Sequence, residues 1–174
     1  MIKEKRFKRK DLSIMSDILV AYFSASGETA RLAKTFAQVL QGDLYEIKPA
    51  QQYTSSDLNW NDKHSRSSVE MADEKCRPEM AEKIGSFPQT KVVLLFPIWW
   101  YQAPRIVQTF LESCNFSGKT IIPVCTSGGS GMGKTESILK KSCSDRTEWI
   151  AGKRFSSHAN PAEVKAWTDS LGID

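Results

Sequence analysis

Ile18-Leu19-Val20-Ala21-Tyr22-Phe23, followed directly by Ser24-Ala25-Ser26-Gly27-Glu28-Thr29, is the stretch on which the fold turns. Its first half is a continuous apolar run of strand length, and its second half carries three hydroxyls and a glycine. Beyond it, Ala30, Ala33, Ala37 and Leu40 recur at helical spacing, with Leu32, Phe36 and Val39 beside them. A strand that passes through such a turn into a helix suits a phosphate monoester. Backbone N–H groups at the helix N-terminus point at the anion, hydroxyls donate to its oxygens, and glycine removes the Cβ that would block approach. The turn contains no lysine or arginine, so the anion is expected to be held by dipoles and hydroxyls rather than by charge.

The same alternation continues along the chain. The pattern predicts a helix over 29–40 stopped by Gly42, a short strand over 43–48, and a polar, aperiodic stretch from 50 with a short helix near 78–84. The run over 91–97, apolar after Lys91, reads as a central strand buried on both faces. It is followed by a helix over 104–114 with Ile106, Val107, Phe110 and Leu111 inward, a second buried strand over 120–126, and a helix over 135–141. A weaker strand is expected over 146–151. Asn160-Pro161-Ala162-Glu163 opens a last helix, with an N-cap residue, proline at the first helical position and an acid at the third. Five strand–helix alternations predict an α/β three-layer sandwich around a parallel sheet. In such sheets ligands sit beyond the carboxyl ends of the strands, at the topological switch point.

Composition sets the class. With 174 residues, 40% hydrophobic and 25% charged, the chain is expected to form one domain over 18–174. The longest apolar run, 92–101, is about half of what a membrane-spanning helix needs. The net charge of +4 is misleading until it is located. Residues 1–17 hold six basic residues (Lys3, Lys5, Arg6, Lys8, Arg9, Lys10) and three acidic ones, leaving 18 basic and 17 acidic residues for the rest. A nearly neutral body argues against a nucleic-acid surface. The tail has too short an apolar stretch, interrupted by Asp17, for a secretory signal. A solvated extension is favoured over a basic arm for an anionic partner, with Met15 standing just before the first strand. Cys76, Cys114, Cys125 and Cys143 form no C-x-x-C pair and have no metal-ligand spacing with His64 or His158, which is expected of reduced thiols in the cytoplasm.

Three strand ends deliver loops to one rim: Ser24 to Thr29, then Pro97-Ile98-Trp99-Trp100-Tyr101-Gln102-Ala103-Pro104, then Thr126-Ser127-Gly128-Gly129-Ser130-Gly131-Met132-Gly133. A phosphate-binding turn, an aromatic loop and a glycine-rich loop together suit a flat ligand with a phosphate tail. Three aromatics at a strand end also commonly cap a core.

Ser-x-Ser-Gly-x-Thr after the first strand resembles the FMN phosphate loop of flavodoxins, and the two later loops resemble the flavin-flanking segments of a bacterial flavodoxin-like family. The resemblance spans roughly 18–172. It implies a five-stranded sheet in the order 2-1-3-4-5 with FMN bound non-covalently. By position it places Ser24, Ser26, Gly27, Glu28 and Thr29, with Ala30, at the phosphate, and Pro97, Ile98, Trp99, Trp100 and Tyr101 along one side of the isoalloxazine. Thr126, Ser127, Gly128, Gly129 and Gly131 fall at its pyrimidine edge. The implied role is electron or hydride transfer, either as a carrier for a redox partner protein or as an NAD(P)H-linked reductase of a small acceptor such as a quinone. Two departures lean toward the reductase: the third loop has no aromatic, and the body lacks the acidity of shuttle flavodoxins. The 50–80 excursion, with Tyr53, Trp60, His64 and Arg66, reads either as a lid or as a solvated loop with one buried tryptophan.

One motif competes. Gly128-Gly129-Ser130-Gly131-Met132-Gly133-Lys134-Thr135 satisfies the P-loop pattern G-x-x-x-x-G-K-[S/T] between a strand and a helix. A P-loop enzyme also needs an acid at a strand end to help hold Mg²⁺, and the ends at Ser24, Pro97 and Ala151 offer none. The FMN reading is therefore preferred, with a P-loop nucleotide-binding protein as the alternative.

Overall fold

The computed structural model describes residues 16–173, so the basic tail over residues 1–15 lies outside the described residues. In chain order the elements are β1 (Ile18–Tyr22), α1 (Glu28–Leu40), β2 (Asp43–Glu46), α2 (Arg66–Ala72), β3 (Lys91–Pro97), α3 (Arg105–Glu112), β4 (Thr120–Thr126), α4 (Thr135–Lys140), β5 (Glu148–Trp149), β6 (Lys153–Phe155) and α5 (Pro161–Leu171). The strands pair in parallel in the order β2-β1-β3-β4-β5.

The central strands are apolar over their middles because both their faces are covered, and alternate residues go to separate cores. Leu19, Ala21, Val92, Leu94 and Phe96 pack toward Ile106, Val107, Phe110 and Leu111 of α3. Val20, Tyr22, Val93, Leu95, Ile122 and Val124 pack toward Leu32, Ala33 and Phe36 of α1 and Val164 of α5. Register then sets the rim: Tyr22 pairs with Leu95, while Pro97 pairs with Thr126, so β3 and β4 end level with each other and just beyond β1.

Three local expectations are corrected. Residues 78–84 do not form a helix. Met80 bridges Pro49 in an extended pairing, with Ala50 N donating to Glu79 O (2.8 Å) and Ala81 N to Lys48 O (2.9 Å). The helical spacing of Met80 and Ile84 reflects two separate buried contacts. The helix of this region is α2, which buries Ser67, Glu70 and Met71 and so carries no apolar periodicity to betray it.

The sheet also has six strands rather than five. β5 pairs with Thr120 and Ile121, and β6 pairs with Val124, Cys125 and Thr126, so two short segments share one edge of β4. The break falls beside Pro123, which has no N–H for a ladder. Gly152 crosses there so closely that a Cβ would lie 2.5 Å from Pro123 O. Finally, α1 ends with Gln41 in the left-handed region (φ 49°). Gly42 matters for a different reason: a Cβ there would crowd β1, 3.0 Å from Val20 Cγ2 and 3.2 Å from Ile18 O.

Candidate functional site

The first loop is shaped by its own hydroxyl. Ser24 Oγ accepts from Gly27 N at 3.1 Å, and Gly27 takes φ 93°, a conformation that side chains with a Cβ rarely adopt. α1 then starts at Glu28 with no side-chain cap, so the N–H groups of Glu28, Thr29 and Ala30 have no partner within the helix. They form the positive end of a helix of 13 residues at the carboxyl rim of β1. Thr29 is buried, with Oγ1 2.8 Å from Thr126 Oγ1, and this bond pins the first loop to the third.

The carboxylate of Glu28 is held aside. Ser157 Oγ donates to it, Arg31 Nη1 stands 4.0 Å away, and Arg31 in turn donates to the ring of His158 at 2.9 Å. The Ser157 hydrogen bond, more than the Arg31 charge, draws the Glu28 carboxyl below its ordinary pKa. Ser157 and His158 precede α5, and neither stands out in the sequence as part of this turn.

The aromatic loop divides in two. Trp99 N donates to Gln102 O at 2.8 Å and Gln102 N to Trp99 O at 3.2 Å, closing a tight turn over Trp100 and Tyr101. Both central residues take positive φ, 47° and 65°. Trp99 points inward, edge-on to Phe23 (5.6 Å) and Tyr53 (5.4 Å), and packs half-buried against the core. Trp100 and Tyr101 stand at the rim, 42% and 76% exposed. Ile98 N donates to Thr126 O at 3.0 Å, which ties this loop also to the third.

Ser127 organises the glycine-rich loop and is fully engaged in doing so. Its Oγ donates to Ser130 O and accepts from Gly129 N (3.3 Å) and Arg154 Nε (3.0 Å), while Arg154 Nη2 donates to Ser127 O at 3.1 Å. A Cβ at Gly128, Gly129 or Gly131 would meet open space, so this loop presents backbone to the outside. Gly133 (φ 54°) backs onto the aromatic turn, where a Cβ would sit 3.0 Å from Tyr101 O. Thr135, the hydroxyl residue of the P-loop pattern, is fully buried, and α4 is only six residues long. That hydroxyl is out of reach of a solvent-borne metal.

The 50–72 part of the excursion is a fixed wall. Tyr53 OH donates to Glu70 Oε2 (2.6 Å), and Arg66 Nε donates to Glu70 Oε1 (2.7 Å) with its guanidinium 3.9 Å above the Tyr53 ring. Burial first, and then the Glu70 carboxylate, push the Tyr53 hydroxyl well above the ordinary tyrosine range. Buried Arg105 joins this wall to the aromatic turn, donating to Met71 O (2.9 Å) and Gln102 Oε1 (3.0 Å). The tryptophan expected to be buried here, Trp60, is 72% exposed; the aromatic that packs half-buried against the core is Tyr53.

The loops and the wall enclose a cleft of about 350 Å³ lined by Ser26, Glu28 and Thr29, by Pro97 to Tyr101, and by Leu58, Trp60, Ser67 and Ser130. An adjoining lobe, also about 350 Å³, shares Ser26, Glu28, Pro97, Ile98 and Trp99 and is closed by Thr126, Ser127, Gly128 and Ser157. Ser24, Gly27, Ala30, Gly129 and Gly131 lie in the same loops but off this lining. Leu58, Trp60, Ser67, Arg154 and Ser157 join the site without a motif to mark them.

A family model described as Flavodoxin matches residues 17–171. Among solved structures, the chain is similar to a candidate flavoprotein from Bacteroides uniformis, at 46% identity over 89% of this chain and 99% of that one, with a TM-score of 0.84. A candidate flavoprotein from Bacteroides eggerthii aligns at 44% identity over 90% and 98%, with a TM-score of 0.83. A flavoprotein from Lactobacillus acidophilus, solved in complex with FMN, shares the fold at 19% identity over 87% and 97%, with a TM-score of 0.61. No curated protein matches the sequence.

Proposed function

The chain belongs to the flavodoxin family, and from that premise we propose that it binds FMN non-covalently at this rim and acts as an NAD(P)H-linked reductase of a small acceptor such as a quinone. The observation that carries the reading is the convergence of three strand-end loops on one cleft. The donor set fits the cofactor. The uncapped start of α1 and the nearby hydroxyls of Ser26 and Ser24 suit a phosphate monoester, and the cleft volume lies in the range of cofactor sites. The open backbone of Gly128 to Gly131 suits a polar ring edge, where N–H donors would stabilise negative charge on the reduced ring.

When bound, FMN supplies the hydride and electron chemistry. The chain's own residues bind, orient and shield. Thr29 and Thr126 hold the first and third loops together, and Ser157 keeps the Glu28 carboxylate away from where a phosphate would lie. Ile98 and Trp99 form the inner wall shared by both lobes, and Trp100 and Tyr101 form its rim. No side chain is assigned as a proton donor. The third loop has no aromatic to cover that side, which favours a reductase over a carrier. The exposed rim aromatics support a second reading, an electron carrier for a partner protein.

The first measurement is the absorbance of the purified or FMN-reconstituted protein, where flavin bands are expected. Protein that ignores FMN and binds ATP–Mg²⁺ would overturn the reading in favour of the P-loop alternative. NADH and NADPH oxidation against a panel of quinones then separates the two roles: turnover supports the reductase, and none with any acceptor leaves the carrier.

A further inference from the structure

We propose that the part of the cleft walled by Leu58, Trp60 and Ser67 is the acceptor's own subsite, and that it selects neutral planar aromatic acceptors. The inference rests on the FMN reading above and extends it to residues outside the three loops. Among the described residues five large hydrophobics are exposed, and three of them, Trp60, Trp100 and Tyr101, line this one cleft. Trp60 comes from the excursion and the other two from the aromatic turn, so two aromatic surfaces of separate origin border one space.

The wall that carries Trp60 is preformed. Leu58 N donates to Thr54 O (3.2 Å) and Ser67 N to Asp57 O (3.0 Å), while Arg66 holds Gln51 O (2.7 Å) and Glu70. A flat ring entering this space meets tryptophan and leucine without the wall having to order itself, which lowers the entropic cost of binding. Its charge preference follows from the lining. Among the described residues the lining offers no cation, and its one formally charged side chain, Glu28, is held aside by Ser157, so nothing there compensates an anionic acceptor. Ser67, 2% exposed, closes this part of the lining behind Leu58 and Trp60. The net reaction is balanced by reduced nicotinamide: NAD(P)H, a proton and a quinone give NAD(P)⁺ and a hydroquinone, two electrons passing by way of the flavin.

The test uses the FMN-loaded full chain with NADH or NADPH as donor, and with naphthoquinone and its sulfonate as acceptors. Wild type is expected to show a lower KM for naphthoquinone than for the sulfonate. Trp60→Ala should raise the naphthoquinone KM about five- to tenfold, the loss of roughly one aromatic stacking contact, with the FMN Kd unchanged. Leu58→Ala should raise it about threefold to tenfold, the scale of part of one leucine's apolar contact. Val69→Ala, on α2 but off the cleft, should change neither constant. An unchanged naphthoquinone KM in both Trp60→Ala and Leu58→Ala overturns the proposal. So does an FMN Kd that rises in step with KM in Trp60→Ala, which would place Trp60 against the cofactor instead. Failure of the underlying reading is seen separately, as wild type that retains no FMN before any acceptor is added.

Discussion

At the scale of single residues, the aromatic turn holds a conformation its side chains do not favour. Consecutive positive φ angles at Trp100 and Tyr101 are what a type I′ turn requires, and Asn-Gly is the pair that takes them readily. A bulky residue there costs about 1–2 kcal/mol. Tyr101 recovers little by burial, since it is 76% exposed. Tyr101→Gly is therefore expected to raise the free energy of urea unfolding by about 0.5–1 kcal/mol once the greater freedom of glycine in the unfolded chain is counted. FMN titration on the same variant should show weaker binding. Stability rising while affinity falls would identify strain kept for the ligand, and a fall in both would refute it. Ser26 tests the opposite loop. Ser26→Glu places a carboxylate on the exposed turn before α1, where the phosphate is proposed to lie, and should abolish FMN retention with the urea midpoint unchanged; an unchanged Kd would remove this loop from the site.

At the scale of elements, what can be read in the sequence depends on whether an element buries apolar residues with a period. β1, β3, β4, α1 and α3 do, and their existence and type follow from the pattern. α5 is legible by another route, its capping box: Asn160 Oδ1 accepts from Glu163 N (2.9 Å) and Glu163 Oε2 accepts from Asn160 N (2.8 Å). α2 offers neither signal, because it is anchored by polar contacts made far along the chain. Those contacts have a measurable weight. Tyr53→Phe deletes one of the two hydrogen bonds to the Glu70 carboxylate, whose side chain is 10% exposed. Leaving it half-satisfied should cost about 1–3 kcal/mol in urea unfolding. It should also loosen the wall, seen as faster amide exchange over 54–72. Unchanged exchange would show that Arg66 alone holds the wall.

At the scale of the whole molecule, stability toward acid follows from carboxylates tied between distant segments. Asp17 accepts from Thr90 N (3.0 Å) and Thr90 Oγ1 (2.5 Å), joining the approach to β1 with the approach to β3. The Thr90 hydroxyl is the main reason its pKa lies below the ordinary value, against an opposing effect of burial. Glu112 is lowered in the same sense, first by Arg77. A folded-state pKa below the unfolded one stabilises the fold above the ordinary carboxylate pKa, and that contribution is lost as pH falls through the depressed value. Urea midpoints should therefore hold between about pH 7 and 5 and drop below about pH 4. Thr90→Val should make the drop shallower, and an identical profile in wild type and variant would show that the clasp is idle.

The sequence by itself determined the parallel α/β architecture and the three loops at the carboxyl ends of its strands. Each of these depends on local chemistry: apolar runs of strand length, helical periodicity, and hydroxyl and glycine placement within a few residues. Tertiary structure decided everything that depends on distant partners. It turned Trp99 against the core and left Trp100 and Tyr101 at the rim. It split the last edge strand at Pro123, and it brought Ser157 to Glu28 and Arg154 to Ser127 across more than one element. It also built the far wall of the cleft from a polar excursion. Burial of polar side chains against partners tens of residues away has no period, so no reading of the chain in one dimension could have shown it.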